Sequence, residues 1–239
     1  MIIKTDEAHI LTHLGLGDNL TCHGLVREIH KKHSQSYVYC KLKYFYSVDF
    51  MYRDLPNLTV FPMEEIGAEN FVKMHNIKNY YKIGHENMAQ AETAEKAFYK
   101  QAGVDFNKKW DSFFIQRNDE RENKLYSSFD FKENDYAFVH DDLSRNSNYT
   151  GQKQAIDITK ISDPNLKVFR PKMEYTNNIF DYLKIIENAK EIHVMESSFM
   201  FLIDLAFKKI DKPLYLHRYS RGTPAWELPT NKLNWRVLE

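Results

Sequence analysis

The sequence predicts an α/β protein of two halves, each built on a parallel sheet covered by helices, with a charged helical region connecting them. Three observations predict it. From residue 8 to about residue 83, short apolar runs alternate with stretches of helical periodicity. Residues 84 to 133 are charged and largely helical in pattern, without a Pro-rich or Ser/Gly-rich tether. Apolar runs then return, separated in the later part by further helical stripes. A chain of 239 residues holds one large domain or two small ones; the change of character sets the division at 1–115 and 116–239.

Taken in order, residues 8–14 read as a strand, followed by the turn Gly15-Leu16-Gly17-Asp18. Cys22, Leu25, Val26 and Ile29 then share one helical face, giving a helix from about Asn19 to His33. Strands follow at 36–41, 58–61 and 80–83, with helices at 44–53 and 64–75. Helical patterns at 89–102 and 117–124 fill the connecting region. In the second half, strands are expected at 136–139, 167–169, 191–195 and 214–216. Ile179, Tyr182, Leu183 and Ile186 mark one helix there, and Phe199, Leu202, Ile203 and Ala206 the next. Gly24 reads as a close-packing position of the first helix against its sheet.

Composition narrows the function classes. Hydrophobic residues make up 43% and charged residues 28%, which is an ordinary folded protein. With 33 basic and 33 acidic side chains there is no global field to attract nucleic acid or an anionic surface, so any anion site is local. Two cysteines, Cys22 and Cys40, are too few for a disulfide framework and fit a reducing compartment. No run approaches the ~20 apolar residues of a membrane span, so the expectation is a soluble, cytoplasmic protein, with peripheral membrane contact left open. Cys22, His23, His30 and His33 scatter over several helical faces and match no zinc spacing; the histidines are expected to face solvent beside Lys31 and Lys32.

Three segments have the chemistry of an anion or nucleotide site. The first is Gly15-Leu16-Gly17-Asp18-Asn19, where two glycines permit a tight turn and leave backbone N–H groups open at a helix start. Asp18 as a simple helix cap is the bland alternative. A third glycine is missing for a dinucleotide fingerprint, and Gly-Lys-Ser/Thr is missing for a phosphate-binding Walker loop. The second segment is Glu196-Ser197-Ser198-Phe199, a strand-to-helix junction whose hydroxyls and free amides suit a diphosphate, with an ordinary Ser cap as its alternative. The third is His140-Asp141-Asp142-Leu143-Ser144-Arg145, after an apolar strand, where Arg145 can clamp phosphate oxygens; otherwise it is a solvated loop. His217 and Arg218 after a later strand, with Arg221 nearby, repeat this argument.

The Gly15-Leu16-Gly17-Asp18 turn between strand and helix resembles the opening of the heptosyltransferase-type members of the GT-B glycosyltransferases. Met195-Glu196-Ser197-Ser198-Phe199-Met200-Phe201-Leu202 is similar to the Asp-Thr-Gly-Pro-Met-His-Leu segment with which that family meets the donor diphosphate. Ser198 and Phe201 replace the glycine and histidine of the pattern. The resemblance implies two Rossmann-like halves, an acceptor half and a nucleotide-sugar half. It implies Asp18 as the general base on the acceptor hydroxyl, inversion at the anomeric carbon, and stabilisation of the leaving diphosphate by Ser197, Ser198 and Arg145. Gly15, Gly17, Asn19, His140, Glu196, Phe199 and Arg218 complete the expected donor-binding set.

No Asp-x-Asp triad is present, and Asp141-Asp142 alone gathers few oxygens for Mg²⁺, so metal-free catalysis without a cofactor is expected. The expected partners are a nucleotide-sugar donor and a carbohydrate or glycolipid acceptor, with no nucleic acid. The alternative is a non-catalytic nucleotide-binding α/β protein. A third reading is a small-molecule phosphotransferase. Donor base, sugar and acceptor are set by loop contacts that the sequence does not name.

Overall fold

A computed structural model gives the structure of residues 5–12, 15–84, 93–141, 155–159, 162–163, 165–220 and 230–239. Its contacts divide the chain into one unit of Met1–Gln116 and another of Arg117–Glu239. In the first unit, β1 (Thr5–Leu11) leads to α1 (Leu16–Thr21), α2 (His23–His30) and β2 (His33–Cys40). A 3-10 turn at Leu42–Tyr44 runs into α3 (Phe45–Tyr52), followed by β3 (Leu58–Pro62), α4 (Glu65–Met74) and β4 (Tyr80–Lys82). Among the described residues these strands form one parallel sheet in the order β3-β2-β1-β4.

The period of two along each strand decides which element covers which face. Ala8, Ile10, Val38 and Cys40 are buried on one face, and α2 lies along β1 and β2. Leu11 and Tyr39 point the other way and pack against Ala68 of α4. Helices α5 (Ala94–Gln101) and α6 (Lys108–Asp111) finish the unit. Tyr99 donates to the Thr21 carbonyl at 3.0 Å, and the buried Lys109 ammonium reaches both oxygens of the buried Glu95 at 3.0 and 3.1 Å.

The second unit begins with α7 (Asp119–Ser127), held by Arg121 on Asp181 at 2.9 and 2.7 Å. Next come β5 (Tyr136–His140), β6 (Lys167–Phe169), a 3-10 turn at Ile179–Tyr182 that opens α8 (Leu183–Asn188), β7 (Glu191–Val194), α9 (Ser198–Ala206), β8 (Leu214–His217), a 3-10 turn at Arg218–Ser220, and β9 (Trp235–Leu238). All pair in parallel, in the order β6-β5-β7-β8-β9. The four residues Tyr136 to Val139 are each fully buried, as expected of a parallel strand covered on both sides. Ala137 and Val139 pack with Ile156 and Ile158, whereas Phe138 meets Phe199 of α9 on the opposite face.

Several sequence expectations are corrected. The first strand starts and ends earlier than 8–14; positions 13 and 14 lie outside the described residues. The helix expected over 19–33 is two helices separated at Cys22, whose ψ of −4° leaves the helical range, and His33 belongs to β2. His23, His30 and His33 are buried rather than solvent-facing, because each finds a polar partner: His23 Nε2 lies 3.2 Å from the Met51 carbonyl oxygen, His30 Nδ1 3.0 Å from Ser36 Oγ, and His33 Nε2 3.0 Å from Tyr81 Oη. Gly24 permits close packing, but against α6: a Cβ there would sit 2.0 Å from the Lys108 carbonyl oxygen. Strand β9 was not foreseen. Both cysteines are buried free thiols, and burial pushes the Cys40 thiol up to about 12.

Buried neutral histidines make stability depend on pH. Burial lowers His9, His33 and His193, takes His23 to about 3 and His217 to about 4. The unfolded chain binds these protons near pH 6.5, so their stabilisation is complete above that value and is lost as pH falls toward the folded values. His23 alone gives a slope of about 1.4 kcal/mol per pH unit in that window. Thermal melting followed at pH 7.5, 6 and 5 should show a steady fall well before ordinary carboxylates titrate; equal melting temperatures at pH 7.5 and 5 would contradict it.

Candidate functional site

In an open parallel sheet the chain leaves neighbouring strands in opposite directions at one point, and a crevice opens there beyond the carboxyl ends. In the second unit the chain passes from β5 to β6 on one side, while β7 passes through α9 to β8 on the other. The crevice therefore lies where β5 and β7 end. His140 is the last residue of β5, and Ser197 immediately precedes α9.

These two meet. His140 Nδ1 lies 2.9 Å from Ser197 Oγ, while the Phe199 ring, with its centroid 4.6 Å from the imidazole, braces the histidine from the core side. Ser197 takes the N-cap position with extended φ −152° and ψ 175°, but its hydroxyl makes no capping bond. The ordinary Ser cap is thus excluded, since the hydroxyl is turned to His140. Ser198, half-buried, is the first helical residue, and Phe199 is buried among Phe138, His140 and Tyr182. Helix α9 leaves its first amides directed at this crevice.

Glu196 and Arg218 belong to the same edge but lie inside it. Both are buried; Arg218 Nε lies 3.7 Å from Glu196 Oε1, and its Nη1 donates to Glu239 Oε1 at 2.7 Å. Arg218 therefore acts as a clamp between the β7–α9 junction and the end of β9, not as an open phosphate hook. On the other face of the sheet, Asp141 accepts from the Ile156 amide at 2.9 Å and from Arg170 Nε at 3.2 Å. With Arg170 on it, Asp141 is a fixed anchor. Asp142, Arg145 and Arg221 lie outside the described residues. Among the described residues no group of three or more His, Cys, Asp or Glu side chains is placed to hold a metal ion.

The first unit has its own divergence, between β1 and β4, and the Gly15 turn lies at it. Gly15 has φ −81°, an ordinary extended value, so conformational freedom is not why glycine stands there. The reason is proximity: Asp18, the third helical residue of α1, folds its carboxylate back to accept from the Gly15 amide at 3.0 Å, and a Cβ at position 15 would lie 2.5 Å from Asp18 Oδ2. Asp18 is half-buried. Asn19 is buried and spent on the turn, donating to the Gly15 carbonyl at 2.8 Å and accepting from Thr12 Oγ1 at 3.1 Å. Gly17 lies within α1.

A neighbouring group escaped sequence reasoning. His193 Nδ1 lies 3.0 Å from His217 Nε2, and His217 Nδ1 lies 2.8 Å from Tyr219 Oη. The signal was present in the period of two: Glu191 and His193 share a face of β7, and Tyr215, His217 and Tyr219 fall on the same face of β8 and its continuation.

By sequence nothing answers: no family model and no curated protein matches this chain. By structure, the chain is similar to a family 9 glycosyl transferase from Veillonella parvula, with a TM-score of 0.62 and 9% identity over 100% of this chain and 88% of that one. It is also similar to ADP-heptose lipopolysaccharide heptosyltransferase II of E. coli, with a TM-score of 0.60 and 10% identity over 97% and 90%. The chain has the fold of these glycosyltransferases. A third structure sharing the glycosyltransferase fold is TibC of enterotoxigenic E. coli, described as iron-containing and dodecameric, at a TM-score of 0.53 and 11% identity over 97% of this chain and 64% of TibC. Within the glycosyltransferase fold of this chain, the Gly15 turn and the Ser197 junction each stand beyond the carboxyl end of a strand of their own sheet.

The Arg218 clamp gives a direct test. Arg218→Met removes the buried guanidinium that meets Glu196 and Glu239 and should cost about 1–3 kcal/mol of unfolding free energy. Glu239, with 74% of its side chain exposed, contributes little, and Glu239→Gln should change stability by about 0.5 kcal/mol or less. Urea titration of both variants measures the contrast; equal effects would remove the structural role given to Arg218.

Proposed function

We propose that this protein is a glycosyltransferase that moves a sugar from a nucleoside diphosphate sugar to a hydroxyl of a carbohydrate or glycolipid acceptor, with inversion and without a metal ion. The observation that carries the reading is the Ser197 hydroxyl turned away from helix capping and onto His140, at the divergence of β5 and β7. A diphosphate placed there meets the Ser198 hydroxyl, the first amides of α9 and the one hydrogen that the bonded Ser197–His140 pair can turn outward, all preorganised donors for negative charge. The whole-chain likeness to transferases of activated heptose supports the same ligand class.

In this reading the second unit binds the donor and the first unit serves the acceptor. As the anomeric carbon–oxygen bond to phosphate breaks, the nucleoside diphosphate departs with the bonding pair, and the acceptor oxygen closes on the opposite face of the sugar. The acceptor proton passes to Asp18. One Asp18 oxygen is held by the Gly15 amide, which fixes the carboxylate plane. Glu196 and Arg218 shape the donor edge from beneath. Arg145 is proposed as a further phosphate contact.

A second reading, a nucleotide-binding protein without catalysis, is favoured by that same Gly15 contact, since a carboxylate closing its own helix turn has a structural task already. One variant separates the two. Asp18→Asn retains an oxygen for the Gly15 amide while removing the base. Transfer should fall about 10²- to 10⁴-fold, with donor affinity nearly unchanged in calorimetry. Wild-type-like transfer by the variant excludes Asp18 as base. Absence of any transfer by the wild-type protein across ADP-, UDP- and GDP-sugars, with the diphosphates still bound, establishes the second reading.

A further inference from the structure

On the face of the second sheet opposite α9, four polar side chains run in file toward the ligand-bearing edge. Glu191 Oε1 lies 3.2 Å from His193 Nε2, in an electrostatic contact that is not aligned as a hydrogen bond. Ser162 Oγ lies 3.3 Å from that same nitrogen. His193 Nδ1 and His217 Nε2 stand 3.0 Å apart, and His217 Nδ1 and Tyr219 Oη 2.8 Å apart. Both imidazoles are fully buried, and the Tyr215 ring stacks on His193 with centroids 4.5 Å apart. Tyr219, at the end of the file, is half-buried.

The direction of the protons follows from elementary chemistry. A neutral imidazole has one N–H and one lone pair, so two in contact must donate in the same sense along the file. A His193 Nε2 lone pair facing the Glu191 carboxylate would be repelled; an N–H there is attracted. His193 therefore has its proton on Nε2, and its Nδ1 accepts. His217 then donates from Nε2, its Nδ1 accepts, and the only hydrogen left for that bond is the Tyr219 hydroxyl. Burial lowers both imidazoles, which keeps them neutral.

We infer that Tyr219 is a specificity residue of the nucleotide site, a phenol whose hydrogen is drawn inward by His217, His193 and Glu191, so that toward a ligand its oxygen acts only as an acceptor. The inference rests on the reading that this edge binds a nucleoside diphosphate sugar. The phenol follows β8, adjacent in the sheet to β7, whose junction with α9 holds Ser197. The Asp141 charge, next in sequence to His140, acts on it. A phenol oxygen whose hydrogen goes to His217 keeps lone pairs with which to accept, and Tyr219 is only half-buried. The group that fits is an N–H or O–H of the nucleoside: a ribose hydroxyl or an amino group of the base. A ligand presenting an acceptor there would face two lone pairs without a hydrogen between them.

The test uses the whole protein, isothermal titration at pH 7.5 with ADP, UDP and GDP, and the variants Tyr219→Phe and Ser197→Ala. For the tightest diphosphate, Tyr219→Phe should raise Kd about 2- to 13-fold, and it should lower the melting temperature because the buried His217 Nδ1 loses its donor. Either the 2′-deoxy analogue or the analogue with an oxo group in place of the base amine should bind the wild-type protein more weakly by a similar factor. The variant should bind that analogue and its parent equally. The two analogues distinguish a ribose contact from a base contact. Nitrogen-15 spectra of the unliganded protein should show both His193 and His217 protonated on Nε2.

Unchanged affinity in Tyr219→Phe while Ser197→Ala weakens binding overturns the Tyr219 inference and leaves the donor site standing. A proton on His217 Nδ1 overturns it as well, by reversing the file. Absence of binding by the wild-type protein to all three diphosphates removes both the donor-site reading and the inference built on it.

Discussion

A polar side chain at the carboxyl end of a strand covered on both faces has to find its partner within the protein, and that requirement organises the carboxyl edge of the second sheet. Strand β5 packs against the Ile156–Ile158 segment on one face and, through Phe138, against Phe199 of α9 on the other. Side chains that alternate beyond the sealed region fall into two layers. On the α9 side are His140 with Ser197 and Glu196 with Arg218; on the other are Asp141 with Arg170 and the Glu191–His193–His217–Tyr219 file. An unpaired member of either layer would cost about 1–3 kcal/mol or more, so the layers hold their geometry before any ligand arrives. Preorganisation is the property a charge-stabilising site needs.

The same constraint explains what was legible in the sequence. Tyr136 to Val139 declares itself because a strand buried on both faces cannot carry a charge in its middle without a partner, and its run of apolar residues is visible locally. The Ser197 junction is visible for a similar reason: strand, two hydroxyls, apolar stripe. The histidines were misread because their partners are remote. His23 meets the Met51 carbonyl, and His33 meets Tyr81, at separations of 28 and 48 residues, and nothing in a helical wheel contains that information. β9 was missed because Trp235 to Leu238 is short and only its pairing with β8 gives it a form.

Arg218 illustrates a subtler failure. A basic residue just past a strand is a sound candidate for phosphate, and the residue type was read correctly. What the sequence did not reveal is that two carboxylates, Glu196 and Glu239, reach it from 22 residues before and 21 after. A guanidinium so placed meets carboxylates of its own protein and ties the β7–α9 junction to the end of β9. Position along the chain identified the edge; tertiary pairing decided which of its residues face outward.

In the proposed transfer, Asp18 would combine the two kinds of task in one side chain. As the third residue of α1 it accepts from the Gly15 amide, and the absence of a Cβ at Gly15 is what lets the carboxylate come so close. A carboxylate has two oxygens, and a proton-accepting role needs only one lone pair directed at the acceptor hydroxyl. The Gly15 bond removes the rotational freedom that a base on a short helix would otherwise have to lose in the transition state. Structural capping and proton transfer are therefore compatible in this geometry, and the glycine belongs to the chemistry as much as to the turn.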